Sequence, residues 1–372
     1  MDFRGSHQSA EVHDLLLSKL LHWRKLEFPM PQGIPKIPAT LIPLFSLLYF
    51  PVAVLGIYLG GIGTFLGFVA ILGSYFFLQW LDRIQAFDHE RGFFASVRHQ
   101  RIWTTLVCVF HFASLFLVLF YLKKRVYFSD AEAYGIIFSL GLACGTVGGC
   151  VAHEDIHSVN LGERILGYLM FASLGYGHFP LTHRQGHHRV AGQPEDWNTA
   201  RIGESLYHFV FRSAFEGYLE GWKLARKRQK RLHTAFFSIC NEMLMQLLGF
   251  LAFNCLIWLI FGFYPTRVFW GICLGALFVF EGLNYCTHYG MVRTSQDKES
   301  YSWDSVNFVY NGLFLQAGHH QHHHLEPALP GAKLRKKSSF VLNCGLIELG
   351  ILAVVPWMYF RFMSLRISAQ GK

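Results

Sequence analysis

One long uncharged stretch of the chain constrains its fold more than any other feature. Residues Ile37 to Leu81 contain no charged side chain. The stretch is about twice as long as the roughly 20 apolar residues that cross a bilayer as a helix. Gly60 and Gly61 lie near its middle, where a tight turn is expected. We therefore expect two membrane-spanning helices here, over about 40–59 and 62–81.

Four more long apolar runs follow, at 102–122, 134–152, 243–263 and 267–286. Only 15% of the 372 residues are charged, against about 25% in an ordinary soluble domain. The sequence therefore predicts an all-α, polytopic membrane protein with about six transmembrane helices.

Two further hydrophobic segments permit more than one interpretation. Segment 165–182 contains several glycines and Pro180, and segment 340–360 contains Glu348 and Pro356. A buried or an interfacial segment would explain either one.

We divide the chain into three parts. These are a cytosolic N-terminal segment (1–36) with an amphipathic piece over 12–26, a transmembrane domain (37–330), and a hydrophobic C-terminal segment (331–372). We expect the C-terminal segment to pack on the transmembrane domain.

The distribution of charge predicts the orientation of the spans. From a cytosolic N-terminus, four crossings return the chain to the cytosol at His153, and two more return it there at His288. Cytosolic loops are enriched in Lys and Arg, and the basic residues of 223–231 and 335–337 then lie on this side. Lys123, Lys124 and Arg125 fall on the other side, against the rule. The net charge of +9 is therefore mostly topological, and we expect no nucleic-acid partner.

The eight cysteines lie in or beside apolar runs and show no CxxC spacing. They are typical of small core residues rather than of disulfides or zinc knuckles. The eight are Cys108, Cys144, Cys150, Cys240, Cys255, Cys273, Cys286 and Cys344.

The 20 histidines are distributed unevenly, and eleven of them fall in three clusters and a single site. HEDIH closes the fourth span, and its i, i+4 spacing puts both imidazoles on one helix face. HRQGHH, the single histidine of NYCTHYG, and HHQHHH then follow. All of them return to the same predicted membrane face. Ionisable groups near a bilayer are costly and usually functional, and imidazole is the commonest metal ligand. The residues are His153, His157, His183, His187, His188, His288, His319, His320, His322, His323 and His324.

The number of clusters favours two metal ions over one. HEDIH also matches the HExxH motif of zinc metalloproteases, in which the Glu is the general base, so an intramembrane protease is an alternative. A catalytic zinc site, however, uses only three protein ligands and would leave the other histidines unexplained. Two irons that handle dioxygen fit the pattern better.

These four motifs, in this order, resemble the membrane alkane hydroxylases of the integral-membrane histidine-box desaturase and hydroxylase superfamily. The segment PEDWNTARIGESLY (194–207) and the proline after HQHHH extend the resemblance, which covers roughly 153–330. It implies six transmembrane helices below a cytosolic helical cap that carries the histidine boxes. It also implies two non-haem irons held by nine histidines.

Carried over position by position, the resemblance implies a specific ligand set. The third histidine box is HHQHHH, and two triplets within it have the family spacing H-x-x-H-H. We choose His320, His323 and His324, because Pro327 then stands where the family has its proline. The alternate register is His319, His322 and His323. The ligands implied are His153, His157, His183, His187, His188, His288, His320, His323 and His324.

Matches and departures from the family both bear on the site. Glu154 and Asp196 match and are the candidate catalytic residues, with roles expected behind the metal ligands; Asn198 and Glu204 match as well. Thr182 and Thr287 stand where the family usually has Glu. Such positions orient metal ligands, so their change affects the expected substrate and reaction more than metal binding.

The resemblance implies a monooxygenase that hydroxylates the terminal carbon of an apolar alkyl substrate with O2. Electrons would come from a separate rubredoxin or ferredoxin with its NAD(P)H reductase, and the basic cluster of 226–231 is a candidate docking site. A related outcome on the same irons, decarboxylation of a fatty acid to a terminal alkene or desaturation, is the main alternative. Arg184 and Arg201 are available to a carboxylate substrate.

Overall fold

A computed structural model describes residues 35–90, 92–125, 129–293 and 301–370. Six helical segments in these ranges are long and apolar enough to cross a membrane, as the sequence predicts. The amphipathic piece predicted over 12–26 lies outside the described residues. The six segments are Ala39–Leu59, Gly61–Arg83, Val97–Lys124, Asp130–His157, Glu242–Phe261 and Phe263–His288.

The first two spans form the predicted hairpin. Helix α1 (Ile42–Leu59) ends at Gly60, whose φ of 73° favours glycine, and α2 (Leu66–Arg83) follows a 3₁₀ turn over Gly61–Phe65. A Cβ on Gly67 would lie 2.6 Å from the Ala53 Cβ, so the helices pack closely there. Two parallel two-residue strands, β1 (Ile37–Pro38) and β2 (Phe87–Asp88), pair at the other end of the hairpin.

The fourth span is the most buried of the six. It runs through α4 (Asp130–Ala143), a π-helical turn (Cys144–Gly148) and α5 (Gly149–His157). It packs against the sixth span, α11 (Phe263–His288). A Cβ on Gly141 would lie 3.3 Å from the Gly275 Cα, since small residues let two backbones approach. The third span is α3 (Val97–Lys124) and the fifth is α10 (Glu242–Phe261).

Neither ambiguous segment forms a spanning helix. Segment 165–182 divides into α6 (Leu161–Ser173) and the short α7 (Phe179–Thr182), with Gly175 at φ 74° between them. A 13-residue helix is about 20 Å long, well short of the hydrocarbon core. Segment 340–360 divides between α14 (Leu346–Ala353) and α15 (Pro356–Gln370), where the proline begins the second helix.

The remaining elements lie at one end of the bundle. A second π-helical turn (His183–His187) joins α7 to α8 (His188–Val190), and α9 (Leu206–Leu232) is long and amphipathic. The last helices before α14 are α12 (Phe308–Leu313) and α13 (His320–Leu325), followed by a 3₁₀ turn at Gly331–Lys333. Strands β3 (Asp304–Ser305) and β4 (Val341–Leu342) pair in parallel beside them.

The C-terminal segment contacts the bundle through aromatic rings. The Tyr359 ring lies 4.9 Å from the Tyr285 ring and 5.0 Å from the Tyr289 ring, and all three residues are buried. The domain boundaries drawn from the sequence stay a prediction.

The basic residues at 123–125 have partners that account for their position. Lys123 Nζ donates to the Ile260 carbonyl at 2.6 Å, at the carboxyl end of α10, where a cation is favoured. Arg125 pairs with Glu132 at 3.1 Å. Both contacts join neighbouring spans, so these residues hold the bundle end together as well as carrying charge.

Candidate metal centre

The first histidine pair lies at the end of α5. His153 and His157 are one helical turn apart, and their ring centroids are 5.2 Å apart. The helix ends at Ser158, whose ψ of 142° is extended. Both rings therefore lie where the fourth span ends, on a common face, as the spacing predicts.

The π-helical turn makes the three histidine rings of the second cluster (HRQGHH) face two different directions. In an α-helix, residues four apart lie on one face. The wider π-helical turn instead aligns residues five apart, so His183 Nε2 lies 2.9 Å from His188 Nε2. The His187 ring turns instead toward His288, with 4.6 Å between centroids. The three rings of HRQGHH therefore do not converge on one side, because His187 turns toward different histidines than His183 and His188 do.

His288 is the last residue of α11, and both of its ring nitrogens are engaged. Nδ1 lies 2.8 Å from the Tyr301 carbonyl, and Nε2 lies 3.1 Å from His320 Nε2. A carbonyl can only accept, so Nδ1 carries the proton and Nε2 has a free lone pair.

The third cluster lies on α13 and its two registers have different surroundings. The rings of His320, His323 and His324 face the other clusters. In the alternate register, His322 has other partners: its Nδ1 accepts from the Arg335 amide at 3.0 Å, and its Nε2 lies 3.2 Å from Glu326.

The nine implied ligands form two groups in which one nitrogen per ring lies within 4.8 Å of the others. The two groups are His153, His157, His183, His188 and His323 (the five-histidine group), and His187, His288, His320 and His324 (the four-histidine group). His319 and His322 belong to neither group. Whether all nine bind metal stays a prediction.

The ring nitrogens fit metal ions better than they fit one another. His183 Nε2 has two ring-nitrogen neighbours, at 2.8 Å (His153) and 2.9 Å (His188). Two imidazole nitrogens that each lie about 2.1 Å from one metal ion, at right angles, are about 3 Å apart. Nε2 of His157, His187 and His324 is buried without a hydrogen-bond partner among the described residues, which is costly unless something binds it.

Burial also keeps the rings in the form that binds metal. Desolvation, followed by neighbouring imidazoles, holds the pKa of His183, His188, His320, His323 and His324 well below the usual range. A ligand histidine must be neutral. A donor set made only of imidazole suits iron, zinc, copper or nickel and does not suit calcium or magnesium.

The two candidate catalytic residues have different positions. Asp196 is buried and lies 2.9 Å from His187 Nδ1, so it holds this ring with Nε2 toward the four-histidine group. Burial alone would raise the pKa of Asp196, but His187 and Thr199 outweigh it and lower that pKa. Glu154 Oε1 accepts from Gln100 Nε2 at 2.6 Å and from the Gly331 amide at 2.9 Å. Glu154 thus ties α3 to the segment after the third cluster.

The loop around Asp196 is held by a buried ion pair. Arg212 on α9 binds both carboxylate oxygens of Glu204, with Nε–Oε1 at 2.7 Å and Nη2–Oε2 at 2.9 Å. It also donates to the carbonyls of Trp197 and Thr199. Burial would raise the pKa of Glu204, but Arg212, the Arg201 amide and His208 together lower that pKa.

Sequence reasoning missed a buried polar network centred on Glu281. Its carboxylate accepts from the Tyr176 hydroxyl at 2.8 Å, the Ser213 hydroxyl at 2.7 Å and the Asn284 amide at 3.2 Å. The network also includes Asn198, whose side-chain amide lies 3.0 Å from the Ser213 hydroxyl. A single Glu within an otherwise apolar span is the signal that could have identified it.

Gln321, inside the HHQHHH run, is a second residue missed. Its side-chain Oε1 accepts from the backbone amides of Tyr301 and Ser302, and its backbone amide donates to Asp304 Oδ1 at 2.9 Å. Gln321 therefore fixes α13 against the segment that holds His288.

The two threonines that replace the family glutamates bond to their own helices. Thr182 Oγ1 donates to the carbonyls of His178 and Phe179, and Thr287 Oγ1 donates to those of Leu283 and Asn284.

A small cavity of about 40 Å³ adjoins the histidines. One ring of each group, His153 and His320, contributes to its wall. The rest of the wall is mostly apolar, from Cys150, Phe280, Leu283, Asn284, Thr287, Tyr310, Ala317 and Leu346. We call this the reaction cavity.

Comparison with known proteins agrees with this arrangement. Three similar proteins are named alkane 1-monooxygenases. The one from Acinetobacter baylyi is 32% identical, over 61% of this chain and 59% of the relative. Alkane 1-monooxygenase 2 of Alcanivorax borkumensis is 29% identical (64% of this chain, 66% of the relative), and alkane 1-monooxygenase 1 of Pseudomonas aeruginosa is 31% identical (63% of this chain, 64% of the relative). The chain thus spans less than two thirds of the length of each relative. The fatty acid desaturase family matches residues 131–342, which include all nine histidines of the two groups. The chain is an integral membrane protein that belongs to the fatty acid desaturase family.

Proposed function

We propose that this protein is a non-haem di-iron monooxygenase that hydroxylates the terminal carbon of an apolar alkyl substrate. The observation that carries the proposal is the reaction cavity, an apolar space whose wall includes one histidine of each group. A substrate carbon at that wall would be close to both metal positions. The relatives named alkane 1-monooxygenases support the same chemistry.

Each histidine group would hold one iron. When bound, the two irons supply activation of O2 and removal of hydrogen from a strong C–H bond. The overall reaction consumes the alkyl substrate, O2, two electrons and two protons, and yields one alcohol and one water.

The residues of the reaction cavity position the substrate and exclude water. Phe280 and Leu283, from α11, meet Cys150 and Leu346 across the cavity. The Phe280 ring packs 5.0 Å from Phe179, whose ring lies 4.7 Å from His183. Because most of the wall is apolar, the end of an alkyl chain can occupy the cavity beside the histidines, where it would be presented to the metals.

Charge within the cavity favours hydroxylation over decarboxylation. None of the described residues on its wall is Arg or Lys, so no side chain there would pair with a substrate carboxylate, whereas a mostly apolar wall suits the end of an alkyl chain. Arg184, one of the two arginines considered for that role, lies 3.5 Å from the Tyr168 hydroxyl instead. The comparisons favour neither this alternative nor the zinc protease.

The electron donor and the orientation follow from the same proposal. The chain has no CxxC pair of its own, so a separate rubredoxin or ferredoxin with its NAD(P)H reductase would supply electrons. Basic residues crowd the last turns of α9, at 223–231. By the positive-inside rule this end, and with it the metal centre, would face the cytosol.

Two measurements on purified protein test the function. Metal analysis should give about two irons per chain, and one zinc per chain would overturn the di-iron assignment. Product analysis would follow incubation with dodecane or dodecanoic acid, under air, with a reducing carrier. We expect 1-dodecanol from dodecane; a one-carbon-shorter 1-alkene from the acid, with no alcohol, would contradict hydroxylation. Protein stripped of metal is the control.

A further inference from the structure

A second, larger cavity lies on the side of the bundle, apart from the two histidine groups. It has a volume of about 680 Å³ and lies between α3, α6 and α10. Its lining is largely apolar and includes Phe112, Leu169, Leu247, Phe250 and Phe253. We call it the lateral cavity. No Asp, Glu, Lys or Arg occurs among the described residues that line it.

The lateral cavity borders the span with the least buried surface. Helix α10 is the least buried of the six spans, and its residues Leu251, Leu256 and Leu259 are each more than half exposed. Such a surface faces lipid in a membrane protein. A molecule dissolved in the bilayer can therefore reach the cavity beside α10 without passing through water.

Two polar atoms on the cavity wall have no partner. His178 and Gln246 both line the cavity, and His178 Nε2 and Gln246 Oε1 are buried without a hydrogen bond among the described residues. A Cβ added to Gly177 would lie 3.7 Å from Gln246 Oε1, so this oxygen lies beside the turn that carries His178. Leaving two such atoms unpaired is unfavourable, which indicates a polar group as their partner.

The chemistry of the two atoms selects the kind of polar group. Burial lowers the pKa of His178 to about 4, so the ring is neutral and offers no charge to an anion. Without a nearby cation, a carboxylate or a phosphate headgroup has no counter-charge here. A hydroxyl can meet both atoms, because it donates to Gln246 Oε1 and accepts from a protonated Nε2 of His178.

One aromatic cluster separates the lateral cavity from the reaction cavity. Phe280 lines the reaction cavity, and its ring lies 5.3 Å from Phe171 and 5.0 Å from Phe179. On the other side, Tyr176 lies 5.2 Å from Phe179 and 4.7 Å from the His178 ring. The two cavities thus lie on opposite sides of a few aromatic rings. A passage between them requires rotation of these side chains and no movement of the backbone.

We propose that the lateral cavity binds a long-chain primary alcohol, with the hydroxyl between His178 and Gln246 and the alkyl chain along α10. The proposal rests on the proposed function, because such an alcohol is the product class of that reaction. The cavity then receives product beyond the aromatic cluster, on its way to the lipid.

Photolabelling tests this binding without turnover. The protein, in phosphatidylcholine nanodiscs without reductant, would be labelled by 1-dodecanol that carries a diazirine in mid-chain, and peptides would be mapped by mass spectrometry. We expect labelling within 247–253, and at least tenfold better competition by 1-dodecanol than by dodecane, dodecanoic acid or added phosphatidylcholine.

Variants assign the binding to the two polar atoms. Gln246→Leu and His178→Phe should each lower the labelling at least fivefold, whereas the control Leu259→Met, on the exposed side of α10, should not change it. Equal labelling by a matched diazirine dodecane, or unchanged labelling of Gln246→Leu, would show an ordinary lipid groove and overturn the proposal. Labelling of the cavity in a protein that forms no alcohol from dodecane would refute the proposed function and leave the binding site intact.

Discussion

The two histidine groups differ in what lies behind their rings. In the four-histidine group, His187 is held by Asp196 and His288 by the Tyr301 carbonyl. In the five-histidine group, no ring has such an anchor among the described residues, and Nδ1 of His183 and of His188 is buried without a partner; in the four-histidine group the same holds for Nδ1 of His324. Outer hydrogen bonds orient a ligand ring and strengthen its bond to metal. The four-histidine group is therefore the more rigid site before metal binds.

Exposure follows the same division. All four rings of the four-histidine group are buried, whereas three of the other five, His153, His157 and His188, are partly exposed. His157 also lines a cavity of about 120 Å³ whose wall includes Asp155 and Glu163. The four-histidine group is thus the more closed of the two, and we expect the five-histidine group to depend more on a bound metal for its order.

The largest effect is expected from the third cluster. His320→Asn removes a ring that belongs to the four-histidine group and lines the reaction cavity. Loss of an outer partner alone costs 10–100-fold in activity or metal affinity, so we expect alcohol formation to fall by more than about 100-fold. His322→Asn is the matched control and should retain most activity. His322 lies two residues further along the same helix and contacts Glu326 instead of the other histidines. Equal losses in both variants would restore the alternate register.

The next effect concerns the anchor of the four-histidine group. Asp196→Asn keeps the shape but removes the charge beside His187 Nδ1, and should weaken metal binding there by about 10–100-fold. In the parent protein, a chelator should remove the metal of the five-histidine group first; in the variant, the order should reverse. Metal content and residual spectra during timed chelation measure this. Glu195→Gln, exposed on the same loop, is the control, and an unchanged order would remove the distinction between the groups.

A smaller effect is expected from Arg212, which holds the loop that carries Asp196. Arg212→Met removes the arginine partner of the buried Glu204, which keeps its contacts with the Arg201 amide and His208, and it frees the carbonyls of Trp197 and Thr199. Breaking a buried ion pair in this way costs about 3–5 kcal/mol. The thermal unfolding midpoint should fall, and metal should leave the four-histidine group preferentially. Lys223→Met, on the same helix but paired only at the surface with Glu220, should change the midpoint little.

The smallest effect is expected at the threonine that departs from the family. Thr182→Val removes a hydroxyl that bonds only to carbonyls of its own helix, a loss of about 1 kcal/mol or less. Metal content should stay the same in both groups. A selective loss of one metal would show that Thr182 supports a ligand despite its present contacts.

The spans and the grouping of histidines were predictable because both depend on local spacing. Uncharged runs of sufficient length mark helices in a membrane, and Gly60 marks the break between the first two. The i, i+4 pair of His153 and His157 shares a helix face wherever that helix goes. Four crossings and then two more bring the remaining clusters to the same end.

The rest depended on backbone details and on contacts distant in sequence. The wider turn at His183–His187 is not encoded by any residue that forbids an α-helix, so the division of the second cluster could not be foreseen. Glu281 meets Tyr176 and Ser213, which lie 105 and 68 positions away. The contact of Lys123 with the Ile260 carbonyl likewise became visible only once the helices were packed.

The π-helical turn at His183–His187 has an evolutionary consequence. It differs from an α-helix by one extra residue in one turn, and this residue places neighbouring rings in different histidine groups. A substitution of one side chain leaves that extra residue in the chain. Drift in this protein can thus alter the substrate and the outer contacts one mutation at a time. The division of the histidines between the two groups changes most directly through an insertion or a deletion.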